Sequence, residues 1–239
     1  MEGARRSVTE TQTLAASDSV IQPTELARYI EHTNLQPNAT TNDIKQLCQQ
    51  AVAYAFLGVC VNSGRVGLCR SLLAGADTLL VATVGFPMGA ASTESKLTEA
   101  RQAIRDGARE LDMMIDIGRF LDGNTDFTSH EVAALSKVAH SEGTRLKAII
   151  ETGFLNNSSI EAASRLVKEA GADFVKTNTG YGPRGVTVDD VRTIRSAIGP
   201  GMGIKAAGGI RTYVLAIDLV RAGATRLGCS SSVDLIQLK

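Results

Sequence analysis

Lys176 and Lys205 are the residues of this chain most at odds with their neighbours. In "GADFVKTNTGYG" (171–182), Ala172, Phe174 and Val175 begin a strand of buried character, and Lys176 follows at its end. In "GIKAAGGIR" (203–211), Lys205 again sits in an apolar run with glycines directly downstream. An ammonium in a dry core costs on the order of several kcal/mol unless something compensates it. Asp112 is a third intruder, a carboxylate in the middle of the apolar strand pattern "ELDMMIDIG" (110–118). An amine attacks a carbonyl only when unprotonated, and free lysine titrates at about 10.4. A neighbouring ammonium and partial desolvation both disfavour the charged form of an amine. Two lysines on adjacent strands therefore suit a Schiff base, with Lys176 as nucleophile and Lys205 as the charge beside it. The iminium is an electron sink, so a carbon–carbon bond can break or form next to it. Asp112 would supply general acid/base catalysis at the hydroxyl that is released or made. Each residue also has a plainer account. A strand-end lysine is usually solvated or salt-bridged, and Asp112 can pair with Lys147 of "RLKAII" on the following strand.

A second constellation is Gly208-Gly209 together with "GCSSS" (228–232), which contains Gly228 and Ser230. Backbone N–H groups after the seventh and eighth strands of a (β/α)₈ barrel commonly bind a phosphate, and serine hydroxyls can add donors. The alternative is an ordinary turn at Gly208-Gly209 and a helix cap at Ser230.

The elements that would position these groups recur along the chain. "LLAGADTLLVATVG" (72–85), "IRDGARELDMMIDIG" (104–118), "VKEAGADFVKTNTG" (167–180) and "VRAGATRLGCS" (220–230) each join a helix end to a Gly-Ala turn and an apolar strand. Glycine there can take the left-handed conformation that ends a helix. Helices alternating with nearly continuous apolar strands signal βα units around a parallel sheet buried on both faces. Eight strands are expected, near 29–33, 58–62, 78–84, 110–116, 145–151, 173–177, 203–206 and 225–228. Helices are expected at 92–107, capped by Ser92, and at 158–171, with Ser158 and Glu161 at the capping-box spacing. The fold class is thus α/β, a single-domain (β/α)₈ TIM barrel over 21–239, with a doubly wound open sheet as the fallback.

Bulk properties set the frame. With 44% hydrophobic and 21% charged residues, the chain of 239 is ordinary for a globular protein and long enough for a sizeable core. Equal numbers of basic and acidic residues, 25 each, and the absence of a Lys/Arg-rich run argue against a nucleic-acid partner. No apolar run reaches the roughly 18 residues of a membrane helix, so no membrane partner is expected. Cys48, Cys60, Cys69 and Cys229 are scattered without metal-type pairing and read as reduced thiols, which suits the cytoplasm. Arg5 and Arg6 are followed by no hydrophobic segment, and Glu2, Glu10 and Asp18 disfavour a transit peptide. Residues 1–20 are read as a flexible tail.

These motifs together resemble the deoxyribose-phosphate aldolase family from about Tyr29 to Ser232. The resemblance is carried by "YIEHTNLQP", "GVCVN", "VGFPMGA", "ELDMMIDIG", "KAIIETG", "FVKTNTGYGPRGVT" and "IKAAGGIRT". It implies Lys176 as Schiff-base nucleophile, Lys205 as the lysine that perturbs it and Asp112 as acid/base residue. It further implies a phosphate site around Gly180, Gly208, Gly209, Gly228 and Ser230, with no metal and no cofactor. Glu31, Lys147, Thr179 and Glu151 are expected to support the site from behind. The implied reaction is reversible cleavage of 2-deoxy-D-ribose 5-phosphate to D-glyceraldehyde 3-phosphate and acetaldehyde, in cytoplasmic breakdown of deoxynucleosides. Partners are then small phosphorylated sugars and aldehydes, and a homodimer or higher homo-oligomer stays open. Departures from the family pattern are Glu31 for Asp, Asp116 for Asn on the face of Asp112, Asn178 for Ser, and the lack of a terminal tyrosine. Rival readings are a keto-acid aldolase, a phosphosugar isomerase working through His32 and Glu151, and a non-catalytic phosphosugar-binding barrel. Cys60 and His32 are read as core packing.

Overall fold

The computed structural model describes residues 21–237. The expected tail at 1–20 lies outside the described residues, as do the last two. Eight strands run β1 (Ile30–Asn34), β2 (Gly58–Asn62), β3 (Leu79–Val84), β4 (Glu110–Met114), β5 (Arg145–Ile149), β6 (Phe174–Lys176), β7 (Gly203–Ala207) and β8 (Arg226–Cys229). They pair in parallel in chain order, and β8 closes on β1 with Glu31 opposite Gly228. Helix α1 (Pro23–Ala27) precedes β1, and α2 (Thr41–Ala53), α3 (Val66–Leu72), α4 (Thr93–Asp106) and α5 (Ile117–Leu121) follow between the strands. The remaining helices are α6 (Thr125–Ser141), α7 (Asn157–Glu169), α8 (Val188–Ile198), α9 (Tyr213–Arg221) and α10 (Ser232–Ile236). This is the expected (β/α)₈ barrel.

Strand alternation divides the barrel wall into two unlike surfaces. Outward residues such as Ile30, Val59, Leu80, Leu111, Leu146, Val175, Ile204 and Leu227 are buried against the helices in one continuous core. At about 1.5–3 kcal/mol per buried aliphatic side chain, this outer layer supplies most of the drive to fold. Inward positions are chemically different. The registers bring Glu31, Glu110, Asp112, Lys147, Phe174, Lys176, Lys205 and Arg226 onto the inner face. The inner apolar cluster is small, formed by Leu35, Cys60 and Val81 with Phe86 packed on it. Gly203 makes room for Phe174 at the floor, since a Cβ there would sit 2.1 Å from the Phe174 ring.

Two local expectations are corrected. Ser92 caps α4 as expected, accepting from the Ser95 N–H. Helix α7, however, is capped by Asn156, whose Oδ1 accepts from the Ser159 N–H at 2.9 Å, so Ser158 lies inside the first turn. Asparagine caps as well as serine, and Asn156 has the extended backbone a cap needs. Asp116 does not share the face of Asp112, because β4 stops at Met114. It caps α5 instead, accepting from Arg119 N–H at 3.1 Å and pairing with the Arg119 guanidinium at 3.3 Å. Its charge is thereby used outside the barrel interior.

Candidate active site

Parallel register places Lys176 directly opposite Lys205 on β6 and β7, and Asp112 directly opposite Lys147 on β4 and β5. Their side chains converge inside the barrel. Lys176 Nζ donates to Asp112 Oδ2 at 2.8 Å, Lys205 Nζ to the same oxygen at 2.5 Å, and Lys147 Nζ to Oδ1 at 3.0 Å. Glu31 reaches the cluster from β1, pairing with Lys205 and lying 3.3 Å from Lys147. Gly228 lets Lys205 in, as a Cβ there would come within 3.1 Å of Lys205 Cε. Glu110 pairs with Lys147 at 2.6 Å, and Arg226 approaches Glu110 at 3.6 Å and Glu31 at 3.8 Å.

The charges settle one another. Burial opposes the ammonium of Lys205, but the facing carboxylates of Asp112 and Glu31 outweigh it and hold its pKa well above the ordinary range. Lys147 is raised in the same way, against burial, by Asp112 and Glu31. Burial would raise the Asp112 carboxyl, yet Lys147, Lys176 and Lys205 hold it well below the usual carboxylate range. The three carboxylates Glu31, Glu110 and Asp112 face Lys147, Lys176, Lys205 and Arg226, with Arg145 also 3.8 Å from Glu110. Among the described residues, Lys176 shares its one carboxylate, Asp112, with Lys147 and Lys205.

Glu31, Cys60 and Asp112 bring donor atoms within 4.8 Å of one another, a set that could hold a cation. The Lys205 ammonium already occupies that position, bonded to both carboxylates. The Cys60 thiol points at Asp112 at 3.7 Å, and burial pushes its pKa up to about 11, so it remains a thiol at neutral pH. It faces the polar interior as well as Leu35 and Val81, so packing is only part of its setting. His32 faces outward. Its ring nitrogens pair with Ser232 Oγ and Gln50 Oε1, each at 2.9 Å, as a satisfied core histidine.

A cavity of about 520 Å³ opens above the cluster at the C-terminal ends of the strands. Lys176 and Lys205 line it, and so do Gly180, Gly208, Gly209, Gly228 and Ser230. Gly180, Gly208 and Gly209 have φ of 91°, 94° and 74°, conformations that turn their peptide groups in ways other residues rarely allow. Among the described residues, the N–H groups of Gly180, Gly209 and Ser230 meet no protein acceptor. Phe86 lies over the amine end, its ring 5.6 Å from Lys176 Nζ, with Tyr181 edge-on to it.

Thr179 and Glu151 are not part of the lysine cluster. Glu151, itself at φ 49°, accepts from Thr179 N–H at 3.0 Å, Thr179 Oγ1 at 2.5 Å and Asn178 Nδ2 at 3.0 Å. They hold the loop that follows β6. Glu110 and Arg226 are cluster members that the sequence reading missed. Glu110 carried a usable signal, since it stands two residues before Asp112 and must share its face. Arg226 carried none, because a charge at the start of a strand is ordinary.

A parallel barrel with two lysines and a carboxylate meeting beneath an open cavity at the strand ends has the parts that Schiff-base chemistry needs. The chain belongs to the DeoC/LacD family of aldolases, whose family model matches residues 25–231. It is 50% identical over 215 residues to the deoxyribose-phosphate aldolase of Thermococcus gammatolerans, covering 89% of this chain and 96% of that one. The Thermococcus kodakarensis enzyme of the same name is 49% identical with the same coverage. Among solved structures, the deoxyribose phosphate aldolase of Aeropyrum pernix, described as a unique tetramer, superposes with a TM-score of 0.85 at 33% identity. That match covers 90% of this chain and 91% of the other.

Proposed function

We propose that this chain reversibly cleaves 2-deoxy-D-ribose 5-phosphate to D-glyceraldehyde 3-phosphate and acetaldehyde through a Schiff base on Lys176. One observation carries the assignment of roles: Lys176 Nζ borders the cavity while Asp112, its only ion partner among the described residues, is shared with Lys205 and Lys147. The uncharged amine adds to C1 of the open-chain sugar, and loss of water gives the iminium. Asp112, kept as a carboxylate, takes the proton of the C3 hydroxyl as the C2–C3 bond breaks. The bond's electron pair moves into the iminium to give an enamine, and glyceraldehyde 3-phosphate leaves. Protonation of the enamine carbon and addition of water then release acetaldehyde and restore the amine. Lys205 acts as the fixed neighbouring cation, and Glu31 and Lys147 hold it and Asp112 in place. The free N–H groups of Gly180, Gly209 and Ser230, with Gly208 and Gly228 shaping the wall, receive the phosphate.

No helix among the described residues is long and apolar enough to cross a membrane. A cytoplasmic enzyme of deoxynucleoside breakdown that works as a homo-oligomer belongs to the same proposal. The shape shared with the tetrameric Aeropyrum pernix protein supports the oligomer. The test is borohydride reduction in the presence of 2-deoxyribose 5-phosphate, followed by peptide mass spectrometry. An adduct on Lys176 that is absent in Lys176→Ala is expected. An adduct on Lys205 would reverse the assignment of the two lysines, and phosphate binding with no adduct would favour a binding barrel.

A further inference from the structure

The loop that follows β6 is fastened by a network the chemistry above does not use. Arg184 grips Asp190 of α8 with both arms of its guanidinium, Nη1 to Oδ2 at 2.6 Å and Nη2 to Oδ1 at 3.0 Å. The same guanidinium donates to the carbonyls of Thr152 at 2.8 Å and Gly185 at 3.0 Å. Asp190 is buried and also accepts from Thr152 Oγ1 and the Thr187 N–H, each at 3.0 Å. Thr152 Oγ1 lies 3.0 Å from Asn178 Oδ1 as well, which ties the fork to the residue two beyond Lys176.

What the fork holds is the backbone next to the phosphate wall. Val186 N–H donates to Gly208 O at 3.0 Å. A Cβ on Gly185 would stand 2.7 Å from that same oxygen, and one on Gly209 would stand 3.3 Å from Gly185 Cα. The two loops therefore touch backbone to backbone with no side chain between them, so a shift of one must move the other. Gly208 and Gly209 line the cavity, whereas Asp112 lies on β4, two strands before β6, and among the described residues makes no hydrogen bond or ion pair with Arg184 or Asp190. Arg184 itself is committed to Asp190 and two carbonyls, which leaves it poorly placed to bind an anion directly.

We propose that Arg184 and Asp190 are positioning residues for substrate phosphate, setting the Gly208-Gly209 wall through the Gly185-Val186 backbone. This rests on the phosphate assignment under Proposed function. A planar bidentate fork is not reproduced by lysine, so Arg184→Lys keeps the charge and loses the geometry. Asp190→Asn keeps acceptors for Thr152 and Thr187 and loses the ion pair.

The experiment compares kcat and KM for 2-deoxyribose 5-phosphate and for unphosphorylated 2-deoxyribose in wild type and both variants, with thermal melts alongside. The KM for the phosphorylated sugar is expected to rise about tenfold, within the range that small misplacements of binding groups produce. The inhibition constant of inorganic phosphate should rise in parallel, while kcat/KM for 2-deoxyribose changes by less than about twofold. A merely structural role lowers the folded fraction and so reduces both substrates equally, which would overturn the inference. A wild-type preference for the phosphorylated sugar that both variants retain would also overturn it, leaving the catalytic reading intact. A wild type with no such preference would overturn both.

Discussion

Two buried lysines make opposite use of nearly the same ion pair. Lys96 of α4 lies 2.8 Å from Glu131 of α6, and Lys176 lies 2.8 Å from Asp112, with side chains 0% and 3% exposed. Around Lys96 two of the three ammonium donors meet acceptors, and among the described residues no cavity opens beside it. It also donates to the Met114 carbonyl at 2.9 Å, and Thr93 Oγ1 donates to the second oxygen of Glu131. Gly85 closes over it so tightly that a Cβ there would come within 2.8 Å of Lys96 Cε. Asp112, by contrast, serves three lysines with two oxygens, and Lys176 borders a cavity. Burial and pairing distance do not separate a structural lysine from a reactive one. Stoichiometry and access do. One cation to one carboxylate behind a wall suits a strut, whereas a lysine that shares its carboxylate and borders a cavity suits the nucleophile proposed above.

The comparison is tested most severely at Lys176. Lys176→Met should reduce kcat/KM by at least about 10⁴-fold, because the covalent route is removed rather than weakened. Asp112 keeps Lys147 and Lys205, so the fold should survive, with the melting temperature within a few degrees of wild type, roughly 1 kcal/mol or less. Loss of folding together with activity would mean that Lys176 is a strut after all. Asp112→Asn should cost about 10²–10⁴-fold in kcat, the usual span for a general acid/base.

The reverse pattern is expected at Lys96. Lys96→Met strands a buried carboxylate and should destabilise by about 3–5 kcal/mol. The double variant Lys96→Met/Glu131→Leu removes both charges and should recover most of that loss, since well-packed apolar pairs often match buried ion pairs. Denaturant melts of the two variants measure the difference, and steady-state assays on folded protein should find kcat within about threefold of wild type in the double variant. A deep kcat defect there would show that Lys96 reports on Asp112 through the Met114 carbonyl and is more than a strut.

The asymmetry between these two lysines also explains what could be read from the sequence. Lys176, Lys205 and Asp112 stood out because they interrupt apolar strands, where period-2 burial leaves little room for a charge. The eight strands themselves were legible to within a residue or two for the same reason. Lys96 was invisible, since in "STESKLTEARQAIRDG" it looks like the solvent face of an amphipathic helix, and its partner Glu131 is 35 residues away. The Arg184–Asp190 fork was hidden likewise, since nothing local shows that Arg184 turns back onto Asp190 of α8. Asp116 was misplaced because the point where β4 gives way to α5 depends on a cap, and "DMMIDIG" continues the apolar alternation past the true strand end. Local pattern shows which residues are out of place. Only closure of the barrel shows which of them meet.

The finest distinction between cluster and strut is a dependence on pH. Lys205 and Lys147 have folded-state pKa values raised above the ordinary 10.5. Such groups stabilise the fold fully below 10.5, and the contribution disappears as pH rises through the folded values, because the unfolded chain loses those protons first. Asp112 has the opposite sign. Its folded value lies well below 3.8, so its contribution is present above 3.8 and is lost as pH falls towards that value. The denaturant midpoint should therefore hold between about pH 4 and 10 and decline on both sides, at up to about 1.4 kcal/mol per pH unit for each proton difference. Lys205→Met removes one of the groups responsible for the alkaline limb and should flatten it by about one proton's slope, and it should also weaken the acid limb, since Lys205 is one of the cations that hold Asp112 low. An alkaline limb unchanged in Lys205→Met would mean that the cluster does not hold Lys205 as a cation, and that a different group supplies the charge beside Lys176.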